Sequence, residues 1–263
     1  MLPGWQDCRL GYYSSLKSSQ DPKYRGTTQL YYCQYYSNRR IFVNILKPAI
    51  LWRMVITYYG TQFFKIQFGD TVLAINPVSK DSGVKSARFG ADIVLVTAND
   101  PFFNGVENAS FGDKIPYVIS GPGEYEIKEI FINGFPSEYK SKKGTKINTI
   151  YKLNMEGINI CFLGALSSDL GPKVKEEIDG VDILFVPVSG GEFLSPVEAS
   201  KIATNLEAKI VIPMDYERIS KDALKTFLKE WGDEKAVSVD KLTIKKKDLE
   251  GKDGEVVVLN NVS

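Results

Sequence analysis

One segment constrains the fold of this chain more than any other: Asp92-Ile93-Val94-Leu95-Val96-Thr97, a continuous apolar run closed by a polar residue at each end. A strand with one wet face alternates apolar and polar residues; a run without alternation is the mark of a strand buried on both faces. Such a strand needs a packed layer above it and another below. Val181–Val186 and Lys209–Ile212 are two more runs of the same kind.

Around these buried strands the pattern is that of short strands and later helices. Val55–Tyr59, Gln62–Phe68 and Thr71–Ile75 are rich in β-branched and aromatic residues and are punctuated by Gly60 and Gly69-Asp70, as in a meander. Pro116–Ser120, Glu129–Asn133, Thr149–Asn154 and Ile158–Leu163 continue the series, and Leu242–Lys247 and Glu255–Asn260 end it. Helices are predicted over Lys173–Ile178, over Pro196–Leu206 with Ser195 as cap, and over Lys221–Trp231 with Ser220 as cap. Meanders mixed with strand–helix–strand units imply a layered α/β architecture with helices outside packed sheets.

Function is narrowed most by a count of zero: the 263 residues contain no histidine. Histidine is the commonest metal ligand and the usual general base near neutral pH. Its absence removes histidine–metal hydrolysis, Ser-His-Asp triads and Cys-His pairs. The three cysteines, Cys8, Cys33 and Cys161, are far apart and form no C-x-x-C pair, so a disulfide framework and a cysteine zinc site are both unsupported. A reducing cytoplasm is the expected compartment. A net charge of +1 makes no global case for nucleic acid, and no apolar stretch is long enough for a membrane helix.

Residues 1–53 differ in composition from the rest of the chain. They hold half of the 14 tyrosines and eight basic residues (Arg9, Lys17, Lys23, Arg25, Arg39, Arg40, Lys47 and Arg53) against Asp7 and Asp21 only. They read as a Tyr/Arg-rich extension, poorly ordered or derived from a misplaced start, because Met54 opens a cleanly patterned domain at once. Two other readings stand beside that one: aromatic and arginine residues stacking on single-stranded nucleic acid, and an amphipathic membrane or partner segment around Ile41–Trp52. The domain proper is expected over 54–263.

Seven landmarks recur in order along that domain: Ile56-Thr57-Tyr58-Tyr59-Gly60, Leu73-Ala74-Ile75-Asn76-Pro77, Ala91–Thr97, Ser120-Gly121-Pro122-Gly123-Glu124-Tyr125-Glu126, Asn148-Thr149-Ile150-Tyr151, Phe162-Leu163-Gly164 and Ile212-Pro213-Met214. Read together, they resemble the metallo-β-lactamase superfamily, in particular its lactonase-like branch of metal-dependent hydrolases. The resemblance implies an αββα sandwich of two mixed β-sheets with helices on the outer faces. It also implies a zinc or manganese centre whose bridging hydroxide is a nucleophile near neutral pH.

The chain departs from the family at the metal. The His-x-His-x-Asp-His loop that follows the Val-Leu-Val-Thr strand in the family reads Thr97-Ala98-Asn99-Asp100-Pro101-Phe102-Phe103-Asn104, so the resemblance puts its four ligand positions at Ala98, Asp100, Phe102 and Phe103. A further histidine position falls on Tyr139, the bridging aspartate on Ala165, the last histidine on Asp215, and the aspartate usual after the third strand on Asn76. The expectation is a non-catalytic protein with a degenerate metal site and no metal cofactor. It would bind an unidentified ligand or protein partner, perform a structural role, or pair with further copies of itself. The competing expectation is a residual lactone or phosphoester hydrolase, with a carboxylate-held metal at Asp100 and Asp215 and oxygen from Asn76, Asn99, Asn104 or Tyr139. It requires the two carboxylates to converge and at least one to titrate abnormally. Phe102 and Phe103 are expected to fill the former cleft, with Asp100 capping the next turn. Asp215 is expected to be solvated or ion-paired. Gly121-Pro122-Gly123 and Ser189-Gly190-Gly191 read as tight turns, and the Lys140–Lys146 and Lys245–Lys247 runs as solvated loop and edge-strand charges.

Overall fold

In a computed structural model of the protein, residues 53–141, 144–220 and 222–263 are described; the Tyr/Arg-rich segment expected over 1–53 lies outside them apart from Arg53. Two sheets carry the fold. The first has six strands: β1 (Met54–Tyr58), β2 (Phe64–Phe68), β3 (Thr71–Ile75), β4 (Ile93–Leu95) and β5 (Tyr117–Ile119), with a late strand, β13 (Lys241–Ile244), beside β1. The second has seven: β6 (Gly123–Ile127), β7 (Ile130–Ser141), β8 (Gly144–Met155), β9 (Ile158–Phe162), β10 (Ile183–Pro187), β11 (Ile210–Met214) and β14 (Glu255–Val256). Two short strands, β12 (Ser238–Val239) and β15 (Val258–Leu259), pair with each other.

Both sheets are mixed in the same way. In the first, β13-β1-β2-β3 is antiparallel and β3-β4-β5 is parallel. In the second, β6-β7-β8-β9 is antiparallel and β9-β10-β11-β14 is parallel. The central parallel strands are the apolar runs of the sequence, and β4, β10 and β11 are buried along their whole length. Ile56, Phe64, Leu73 and Ile93 face the second sheet and join its residues, such as Ile150, Phe162 and Phe185, in one core.

The two outer faces are covered differently. Helices α2 (Pro196–Asn205) and α3 (Ala223–Trp231) cover the second sheet with Ala199, Ile202, Phe227 and Leu228, and the short α1 (Pro172–Glu177) adds Val174. Ser195 begins α2 in a full capping box with Glu198. The other face of the first sheet (Val72, Ala74, Val94, Val96) packs instead beneath Val78, Ala91 and Ala109, in a segment that carries two 3-10 turns. Together these layers form an α/β sandwich of two mixed sheets, with α-helices on the outer face of the second sheet and, in place of the helices expected there, 3-10 turns on that of the first.

Several local expectations need correction. Gly123, read as the end of a tight turn, opens the strand Gly123–Ile127, and β7 and β8 run to twelve residues each, so Lys140 and Lys146 are strand residues rather than loop. The length comes from cross-strand pairing all the way from Phe131↔Asn154 to Ser141↔Gly144, which no local apolar pattern announces. Leu242–Lys247 stops as a strand at Ile244 and turns into a 3-10 helix, Lys246–Leu249, while Glu255–Asn260 divides between two sheets at Val257. The third helix starts at Ala223; the Ser220 hydroxyl accepts from the Asp222 N–H, one residue before the helix begins. Among the described residues no helix is long and apolar enough to cross a membrane.

Candidate functional site

The site lies where the parallel strands end. After β3 the chain turns at Asn76, whose φ of 49° is in the left-handed region that a side chain with a local hydrogen bond tolerates best. Its Oδ1 accepts from the Thr97 N–H at 2.8 Å; its Nδ2 donates to Thr97 Oγ1 at 2.8 Å and to Gln62 Oε1 at 3.2 Å. These bonds tie the end of β3 to the end of β4. Thr97 then joins the sheets, since its carbonyl accepts from the Thr149 N–H of β8 at 2.8 Å. Beyond β9, Gly164 (φ 61°) lies so close to this junction that a Cβ there would sit 2.4 Å from Asn148 Oδ1, and the same oxygen accepts from the Ala165 N–H at 2.8 Å.

The loop after Thr97 is a tight turn built around Asp100. Its carbonyl accepts from the N–H groups of Phe103 (2.8 Å) and Asn104 (3.0 Å), and its Oδ1 accepts from the Phe102 N–H at 3.2 Å. Asp100 thus caps the turn as expected, and Asn104 Nδ2 closes it by donating to Asn99 Oδ1 at 2.7 Å. Asp100 Oδ2 is paired with Lys146 Nζ at 2.7 Å. The expectation of a solvated Lys146 is therefore corrected. Its partner across the hairpin is Tyr139, over whose ring the ammonium sits 5.8 Å from the centroid.

That turn delivers Phe102 and Phe103 into an apolar cluster with Ala98, Tyr139, Ala165 and Phe193. Phe103 is 1% exposed, and the rings of Phe103 and Tyr139 lie 6.0 and 5.6 Å from that of Phe193. Five positions scattered from 98 to 165 in the sequence meet in this cluster. The Tyr139 hydroxyl is buried with no hydrogen-bond partner among the described residues; burial and the Asp100 carboxylate raise its pKa, against the pull of Lys146.

Asp215, at the end of β11, is fully buried in a left-handed conformation, φ 60°. It is not solvated. Arg218 Nε donates to both carboxylate oxygens at 3.0 and 3.2 Å, and the Ser189 hydroxyl donates to Oδ2 at 3.3 Å. Burial pushes the carboxyl up to about 6, with Arg218, Ser189 and Gln62 acting in the opposite direction. The Arg218 guanidinium lies 4.5 Å from the Phe193 ring centroid and 5.4 Å from that of Phe102, so the ion pair and the aromatic cluster are joined.

One carboxyl therefore titrates abnormally, yet Asp100 and Asp215 belong to separate ion pairs with separate cations. Sequence reasoning missed Arg218, Phe193 and Lys146. Arg218 had a local signal, a base three residues beyond a candidate carboxylate. Phe193, beside the Gly190-Gly191 turn, had none.

A profile described as a beta-lactamase superfamily domain matches residues 55–215. A metal-dependent hydrolase from Listeria innocua is 30% identical over 155 residues, 56% of this chain and 61% of that protein, so the match spans less than two thirds of its length. Another, from Lysinibacillus sphaericus, is 27% identical over 198 residues, covering 62% of this chain and 85% of that protein. Among solved structures, a protein of the metallo-β-lactamase superfamily from Thermotoga maritima, described as a candidate zinc-dependent hydrolase, superposes with a TM-score of 0.64 at 27% identity, over 78% of this chain and 98% of that one.

The metal these relatives are named for has no matching donor set here. Zinc takes imidazole, thiolate or carboxylate ligands in groups of three or four. Histidine is absent from the whole chain, and among the described residues no three Cys, Asp or Glu side chains are grouped to hold an ion. Methyl and phenyl groups occupy the centre of the site, and its two carboxylates are engaged by Lys146 and Arg218.

Proposed function

The chain belongs to the beta-lactamase superfamily, and from that membership we propose that it is a non-catalytic member whose former metal cleft is filled and whose role is to bind a partner or ligand elsewhere on the scaffold. One observation carries the reading: Ala98, Phe102, Phe103, Tyr139 and Ala165, five of the seven places where the resemblance expects ligands, pack together around Phe193 as a small hydrophobic core. A hydrolytic centre of this family needs a water held and acidified by metal. An apolar cluster supplies neither donor nor room for that water. Kinship of fold does not carry the activity across, because activity resides in the site. No metal cofactor is assigned, and a reducing cytoplasm suits the buried, unpaired thiol of Cys161.

The test is metal content and turnover on one sample. The full chain, purified without a histidine tag, is dialysed against zinc, manganese and magnesium in turn, analysed by plasma emission, and assayed on lactone and phosphodiester substrates. Folded protein with neither metal nor turnover is the expected result. One or two tightly held ions together with turnover would overturn the proposal and make Asp100 and Asp215 the first residues to replace.

A further inference from the structure

We infer that Arg218 is the resident cation of this cleft: its guanidinium supplies, from within the chain, the positive charge that the relatives draw from a metal. The inference rests on the reading of the cleft as metal-free. A carboxylate with no exposure to water, as at Asp215, is costly unless a cation faces it. Here the facing cation is Arg218, three residues on, bonded through Nε to both oxygens.

The surroundings are those a guanidinium needs and a hydrated ion does not. A divalent metal wants several oxygen or nitrogen donors around it. Arg218 has one carboxylate and, for the rest, the rings of Phe193 and Phe102. A planar, weakly hydrated cation is held well by aromatic surfaces, which would leave a metal ion uncoordinated. Its Nε is spent on Asp215, while its Nη2 is buried with no hydrogen-bond partner among the described residues. The Phe residues and the arginine are therefore one substitution in chemical terms. With the donors replaced by aromatic rings, the cation that remains compatible with the site is one that stacks.

The prediction is that the charge of Arg218, and not only its bulk, keeps the cleft closed over Asp215. A double-mutant cycle on the full chain tests it, with Arg218→Ala, Asp215→Asn and the pair compared by thermal unfolding at neutral pH in the presence of a chelator. Arg218→Ala is expected to lower the midpoint by roughly 10 °C, since a buried charge is left unpaired. Adding Asp215→Asn should recover at least half of that loss. Low-millimolar guanidinium chloride, but not sodium chloride at the same concentration, should recover part of the loss in the single variant. A double variant as unstable as Arg218→Ala alone, with no response to guanidinium, would reduce Arg218 to a packing residue and overturn the inference. If Arg218→Ala does not fold, Arg218→Gln keeps a flat, neutral group over the rings, and the same cycle on that background separates charge from bulk. Metal content of the wild-type chain is read alongside. Stoichiometric zinc or manganese there would sink the metal-free reading, whereas absent coupling in a metal-free chain would sink this inference alone.

Discussion

The parallel strands of this protein carry aspartates at both ends, and the two ends treat them in opposite ways. Where β4 and β10 begin, Asp92 and Asp182 are each almost buried. Each accepts a backbone N–H from the start of the neighbouring strand, Val72 or Asn159, and each is held by two lysines: Lys114 and Lys128 for the first, Lys209 and Lys246 for the second. Burial alone would raise both carboxyls, but the lysine and backbone hydrogen bonds outweigh it and hold both below the usual range. Where the strands end, Asp215 has one cation, aromatic neighbours and a carboxyl raised to about 6. The same residue type thus favours the fold at one end and strains it at the other. Asn76 and Asp215, both left-handed, lie at the ends of β3 and β11.

The largest expected effect breaks this comparison at the cluster itself. If the former cleft has become core, Phe103→Ala should cost about 3–5 kcal/mol, the value for a buried phenylalanine whose surroundings cannot collapse. Urea denaturation measures it, with an unchanged m-value showing that the folded state is otherwise intact. A loss nearer 1 kcal/mol, roughly that of a half-exposed side chain, would mean that the cleft still opens to water.

Second in size is the dependence on pH, where the two ends have opposite signs. Between the ordinary carboxyl value of 3.8 and about 6, the folded state holds a proton on Asp215 that the unfolded state has released. Stability from this group is present below that window and is lost as pH rises through it, by about 3 kcal/mol at most. Asp92 and Asp182 are depressed, so their contribution is present above the usual carboxyl range and is lost as pH falls through it. The unfolding free energy should therefore peak in mildly acid solution, and Asp215→Asn should flatten the neutral side of the peak while leaving the acid side in place. A peak that stays at neutral pH would show that Asp215 is not the strained carboxyl.

Most of the scaffold was legible because its signals are local. Continuous apolar runs gave β4, β10 and β11, and Ser195 followed by Pro196 marked the start of α2. The candidate site was legible only as the positions where the resemblance expects ligands. That Ala98, Phe103, Tyr139 and Ala165 pack together follows from strand pairing over long separations, and Phe193 has no pattern that announces it. Lysines were the weakest point of the reading. A lysine in a polar run looks solvated until the fold brings a carboxylate to it, as Lys246 meets Asp182 across 64 residues and Lys146 meets Asp100 across 46.

The entering ends sharpen the comparison at a smaller scale. Asp182→Asn keeps an acceptor for the Asn159 N–H and loses only the charge shared with Lys209 and Lys246, whose side chains are 40% and 49% exposed. The expected loss is about 2 kcal/mol, reduced from the value for a fully buried pair by solvent screening. Asp92→Asn, with the same arrangement, should match it in the same urea titration. Unequal losses would show that the likeness of the two brackets is geometric only.

The smallest effect concerns the pair at the mouth of the site. Lys146 and Asp100 are 32% and 21% exposed, so water screens their attraction, and the hydrogen bond to Asp100 raises the lysine only from an already high value. Lys146→Gln should cost about 0.5–1 kcal/mol. Its use lies in separating two functions of Asp100. The backbone and Oδ1 bonds that shape the Asp100–Asn104 turn do not involve Lys146, so the turn, and with it the placement of Phe102 and Phe103, should survive. Near-ultraviolet circular dichroism, which reports the aromatic packing, should then be unchanged in Lys146→Gln and altered in Phe103→Ala. Loss of the aromatic signal in the lysine variant would mean that the ion pair, rather than the turn, seats the phenylalanines, and the cluster would then depend on a surface charge in a way that the Asp92 and Asp182 brackets do not.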